Sequence, residues 1–95
     1  MIKFRIFSAA ARDLANAVEY YETQSSGLGS DFLDEFERTV SRICRFPDAW
    51  ALVSSRMRRC LMRRFPYAVF YSRNNEEIII AGVADLRMNP EKLPK

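Results

Sequence analysis

The sequence has no histidine, two cysteines, three glycines and four prolines in 95 residues. Without histidine there is no imidazole general base, no His-containing catalytic triad and no zinc-finger ligand set. Cys44 and Cys60 stand sixteen residues apart with no CxxC pairing, so they read as small buried hydrophobes rather than a disulfide framework or a metal site. No run approaches the roughly 20 apolar residues of a membrane span. The opening MIKFRIF lacks the long apolar segment and small-residue cleavage site of a secretory signal, so a cytoplasmic protein with no membrane partner is expected.

What is present points to one compact domain over residues 1–95: 48% of the residues are hydrophobic and 28% charged, with no internal repeat or low-complexity segment. A chain of this size buries roughly 60–65% of its unfolded surface, enough for one modest core. The net charge of +3 is unevenly placed. Residues 1–55 carry six basic and eight acidic side chains, and residues 56–95 carry nine basic and four acidic ones. Arginine supplies twelve of the fifteen basic groups, and five of the twelve fall between Arg56 and Arg64. Its planar fork suits bidentate contact with phosphate or carboxylate.

Periodicity predicts the elements. Residues 2–7 alternate, placing Ile2, Phe4 and Ile6 toward a core and Lys3 and Arg5 outward, as a short strand. Ser8 is placed to cap a helix over about 9–25, whose Leu14, Val18 and Tyr21 form an apolar stripe. After Gly27-Leu28-Gly29, Ser30 or Asp31 is expected to cap a second helix over about 30–46, with Phe32, Phe36, Val40 and Ile43 on its buried face. Its acidic residues come early and its arginines late, which suits the helix dipole. Residues 47–55, with the only Trp, Trp50, read as a loop. Strands are predicted at about 57–65, 67–72 and 77–85, the last two forming a hairpin, and residues 88–95 read as a tail. The expected fold is a two-layer α+β domain: an N-terminal strand, a helical hairpin, then a three-stranded antiparallel meander, in one mainly antiparallel sheet.

The 57–65 segment is the first place to seek function, because neither of its faces is cleanly apolar. Arg58 and Arg64 share parity with Cys60 and Met62, while Arg59 and Arg63 share parity with Leu61. An edge strand kept soluble by charge is the plain alternative. Tyr67 and Tyr71 share a face of the next strand, and Arg87 follows the last one. Together Arg58, Arg59, Arg63, Arg64, Tyr67, Tyr71 and Arg87 are candidates for an anionic partner, either RNA or an acidic protein segment. A nuclease without histidine would draw on Arg59, Arg64, Tyr71, Asp85 and Arg87, with Asp85 moving the proton; Asp85 also reads simply as a strand-end turn residue. No metal or cofactor is expected.

Several segments taken together resemble the RelE/ParE superfamily of toxins from bacterial type II toxin–antitoxin systems. They are the opening strand and Ala-rich helix, Glu19-Tyr20-Tyr21-Glu22, Gly27-Leu28-Gly29-Ser30-Asp31-Phe32-Leu33, Arg58 to Tyr67, and Val83 to Pro90. The helical hairpin and Arg63-Arg64-Phe65-Pro66-Tyr67 are more similar to the ParE branch. The resemblance implies a small toxin neutralised by a cognate ParD-like antitoxin that wraps the hairpin and sheet and alone contacts operator DNA. ParE-like members inhibit DNA gyrase by binding; RelE-like members cleave messenger RNA in the ribosomal A site. Many relatives carry a Val-x-His-x-Arg-Arg-x-Pro pattern, from which this chain departs at Asp85 and Met88 while keeping Arg87 and Pro90. The resemblance therefore implies a gyrase-binding toxin first and a ribosome-dependent ribonuclease or an inactive adaptor second.

Overall fold

A computed structural model describes residues 2–88, so the tail assigned to 88–95 lies, beyond Met88, outside the described residues. The elements run β1 (Lys3–Ile6), α1 (Ser8–Gln24), α2 (Leu28–Arg45), β2 (Ala51–Leu52), β3 (Arg58–Leu61), β4 (Tyr67–Asn74) and β5 (Glu77–Asp85). They form a two-layer α+β fold in which five strands are ordered β1-β5-β4-β3-β2. The β1–β5 pair is parallel and the other three are antiparallel, so the sheet is mainly antiparallel, as predicted. The hairpin turn sits at Asn75 and Glu76, with Asn75 in the left-handed region at φ 55°.

The hairpin's apolar stripes make the core. Phe32, Phe36, Val40 and Ile43 of α2 and Ala10, Ala17 and Tyr21 of α1 pack on Cys60, Tyr67, Val69, Tyr71, Ile78, Ile80 and Val83. Ile79, pointing to the opposite face from its neighbours, is also buried, which fits the double-sided apolar run expected for an inner strand. Both cysteines are buried and free, and burial pushes both thiols up.

The caps differ from expectation. Ser8 lies inside α1, and the cap position is Phe7, whose carbonyl accepts the Ala11 amide at 2.9 Å. The second helix starts at Leu28 rather than near residue 30, and neither Ser30 nor Asp31 caps it. Gly27 holds the cap position at φ 89°, a conformation glycine adopts without steric penalty. The free amides there are met from the preceding helix: the Glu22 carboxylate accepts the Gly27 amide at 3.1 Å and the Gly29 amide at 3.0 Å. A Cβ on Gly29 would come within 2.7 Å of the Val18 carbonyl oxygen, so this residue sets how closely the helices approach.

Four strand assignments also change, the smallest change being at β4, which runs two residues past the expected 67–72, to Asn74. Residues 47–55 contain β2, two residues paired to Arg58 and Arg59, too short for any periodic signal. The strand expected over 57–65 ends at Leu61, and Arg64 takes a left-handed φ of 71° in the turn that leads to β4. Arg63 and Arg64 therefore do not share the alternation of Arg58 and Arg59. At the N-terminus the strand is Lys3–Ile6, and Phe4 is 46% exposed instead of buried, because β1 is a sheet edge at the limit of helix cover.

Candidate functional site

The residues predicted to act together fall in separate places. Arg58 alternates with the buried Cys60 and turns to the helix side. Its Nη1 donates to the carbonyls of Asp48 (3.2 Å) and Trp50 (2.8 Å). Its cross-strand partner Tyr71 is fully buried and donates its hydroxyl to the Pro47 carbonyl at 2.6 Å. A phenol used in that way has no ring face for stacking on a base, which corrects the expectation of a tyrosine-lined binding surface. Tyr67 is likewise 9% exposed and packs edge-on to Phe32 and Tyr21.

Arg59 and Leu61 point to the other face. With Arg42, Trp50, Ala51 and Arg63 they line a hollow at the β2–β3 edge, where Arg42 donates to the Leu61 carbonyl at 3.2 Å. Arg64 stands apart, over the Phe65 ring at 5.4 Å and 3.4 Å from the Asp31 carboxylate. At 54% side-chain exposure that ion pair adds little stability.

Asp85 and Arg87 lie at the far end of the sheet. Asp85 is opposite Tyr67, which is four residues, or about 13 Å of strand, from Tyr71. Arg87 closes on Asp85 through its backbone amide (2.9 Å), Nε (3.0 Å) and Nη2 (2.8 Å), and these hydrogen bonds hold the Asp85 carboxyl below its ordinary range. A carboxylate so held is a weak proton acceptor. Beside it, Asp13, Asn16, Tyr20 and Met88 border a hollow, and the Asp13 carboxylate is engaged by the Val83 amide at 3.1 Å.

The tyrosines give a measurable signature. Burial first, and Asp85 second, push the Tyr67 phenol up to about 12; burial alone dominates the same rise at Tyr71. A phenol whose folded pKa is raised favours the folded state below its unfolded value near 10, and that contribution is lost as the pH rises toward 12. An ultraviolet titration should show two tyrosines ionising late, with stability falling between about pH 10 and 12. Tyr71→Phe should remove one late phenol; full ionisation by pH 10.5 would count against this burial.

Sequence reasoning missed a different surface. Phe4, Ile6, Leu14, Leu33, Phe36 and Val40 line an apolar groove of about 390 Å³ between the helical hairpin and β1. Phe4, Phe7 and Leu33 are exposed large hydrophobics. The available signal was Leu33, an apolar residue lying off the helix stripe of Phe32, Phe36, Val40 and Ile43. Beside the groove, the outer edge of β1 has no partner among the described residues. The Phe7 amide bonds inward to Ile80 at 3.0 Å, so by parallel-strand alternation the main-chain groups of Phe4 and Ile6 face that open edge.

No helix among the described residues is long and apolar enough to cross a membrane. A search of curated protein sequences found no significant match. Among solved structures, the fold is similar to a chain of the chromosomal ParDE toxin–antitoxin system from P. aeruginosa, with a TM-score of 0.76 and 16% identity over 90% of this chain and 97% of that one. It is also similar to the isolated E. coli RelE toxin, with a TM-score of 0.61 and 10% identity over 96% and 90% of the two chains. Residues 5–90 match the family described as ParE toxin of type II toxin-antitoxin system, parDE, in agreement with the motifs at Gly27–Leu33, Arg58–Tyr67 and Val83–Pro90. The chain belongs to the ParE toxin family of type II toxin–antitoxin systems.

Proposed function

We propose that this chain arrests growth in the cytoplasm by binding DNA gyrase, and that a ParD-like antitoxin neutralises it. The observation that carries binding over catalysis is the dispersal of the candidate catalytic set. Arg59 lies on the face opposite Tyr71, Tyr71 is buried about 13 Å along the strand from Asp85, and Arg87 occupies the Asp85 carboxylate. A ribosome-dependent ribonuclease would need those groups around one phosphodiester.

The groove beside β1 supports an antitoxin partner. It offers apolar surface next to free main-chain donors and acceptors, which suits an extended segment that adds a strand and buries alternate apolar side chains. Family membership and the likeness to a ParDE chain favour ParD-like chemistry for that segment. Operator DNA is contacted through the antitoxin, and the toxin works without metal or cofactor.

The test is induction of this chain with and without its neighbouring gene product, together with a supercoiling assay on purified gyrase. Filamentation, DNA damage and loss of supercoiling, all relieved by the neighbour, are the expected results. New codon-linked message ends with gyrase unaffected would move the chain to the ribonuclease reading. A harmless induction with gyrase unaffected would leave an adaptor.

A further inference from the structure

A second groove, of about 530 Å³, is lined by Asp48 of the α2–β2 connection, Ser55 and Arg56 of the β2–β3 connection, and neighbouring residues of β2, β3 and the end of β4. Arg56, Arg58 and Arg73 converge on it, with Ser55 and Ser72 beside them and Leu52 at its lip. Asp48 is the only carboxylate in its lining, so three guanidinium groups against one carboxylate leave the groove at +2. Its size falls within the range of small-ligand sites, about 300–1,000 Å³.

Apart from the Arg73–Asp48 ion pair, the positive charge is left without a carboxylate partner. Arg58 is half-buried and is oriented by the carbonyls of Asp48 and Trp50, not by an acid. Both bonds use Nη1, which leaves Nη2 and Nε for a ligand. Arg73 is steadied by the Asn75 carbonyl at 3.3 Å and by Asp48 at 3.2 Å. Arg56 is exposed and forms no ion pair among the described residues. A guanidinium fixed by neutral carbonyls keeps its full charge and loses little freedom on binding an anion.

We propose that this groove binds a phosphate-bearing anion, the phosphate of a nucleotide or of a nucleic-acid backbone. A terminal phosphate, with two negative charges and three acceptor oxygens, or two successive backbone phosphodiesters, with one charge and two free oxygens each, match a +2 groove with several converging forks and hydroxyl donors better than one planar carboxylate does. The exposed Leu52 side chain at the lip provides apolar surface for a base or sugar. The site is separate from the β1 groove and does not depend on gyrase or antitoxin binding.

Titration calorimetry on the full chain at low salt, with ATP, adenosine, a single-stranded oligodeoxynucleotide and polyglutamate as probes, tests the proposal. ATP, the oligonucleotide or both should bind while adenosine stays silent, and the pattern tells nucleotide from nucleic acid. Arg56→Glu should weaken that binding about tenfold or more, by loss of a charge-assisted contact and addition of a repelling one. Because Arg56 is exposed, its variant should keep the native circular dichroism spectrum, and Arg58→Gln gives a second reading at the preoriented fork. Arg12→Glu, an equal charge change on α1, should leave affinity unaltered. Silence from both phosphate probes, adenosine matching ATP, polyglutamate binding as tightly, or Arg12→Glu acting as strongly as Arg56→Glu would each overturn it.

Discussion

Phe32→Ala should lower the unfolding free energy by about 3–5 kcal/mol, the range for removing a fully buried phenylalanine and leaving a cavity. Phe32 has no exposed surface and sits where three elements meet. Its ring stacks on Tyr21 at 5.3 Å and takes Phe65 and Tyr67 edge-on at 5.0 and 4.9 Å. Aromatic pairs in these geometries add about 0.5–1.5 kcal/mol beyond area burial. The substitution therefore loosens α1, α2 and the start of β4 together, and a domain with about 5–15 kcal/mol in total has little margin for that loss. Urea unfolding checks it, with Leu33→Ala, 37% exposed on the same helix, as a comparison expected to lose about 1–1.5 kcal/mol, at most half the Phe32 effect. A loss below about 1 kcal/mol at Phe32 would show that this junction is not the centre of the core.

The double variant Phe4→Asp with Leu33→Asp should weaken antitoxin binding about a hundredfold or more while leaving the fold intact. Both side chains are partly in water in the free chain, at 46% and 37% exposure, so each new carboxylate stays hydrated until docking, and the circular dichroism spectrum of the variant checks that the fold is kept. On docking, each new carboxylate would be buried against apolar surface without a counter-ion. A desolvated anchor of this kind costs about 2 kcal/mol or more in affinity. Phe46→Asp is the control, because Phe46 is 58% exposed but lies outside the groove lining. Titration calorimetry against the purified antitoxin reads the difference. Equal losses in the control and the double variant would place docking elsewhere, and unchanged affinity in both would remove the β1 groove from the interface.

Local pattern was a good guide wherever one face of an element meets the core. The α2 stripe of Phe32, Phe36, Val40 and Ile43 is buried at every predicted position, and the strand assigned to 77–85 has those bounds in the structure. Both follow from a repeat of 3.6 or 2 residues sustained over several turns or pairs. Legibility fell where the determinant is remote. The cap of α2 comes from Glu22, a residue in another helix, so the nearby Ser30 and Asp31 were the wrong candidates. The strand at β2 exists only because Ala51 and Leu52 meet Arg59 and Arg58 across the sheet.

The candidate site shows the same division. Sequence by itself determined the α+β class, the helical hairpin, the excess of arginine after residue 55 and the family motifs, because each depends on residue identity and near spacing. Only the tertiary structure decided that the arginines occupy separate neighbourhoods. A turn at Arg64 ends the alternation after Leu61; carbonyls of the α2–β2 connection then hold Arg58, while Asp31 of α2 holds Arg64. It also decided that Tyr71 serves the core while Phe4 and Leu33 face solvent. Burial is a property of what packs opposite a residue, and that is set by strand order and helix cover rather than by the residue's own periodicity.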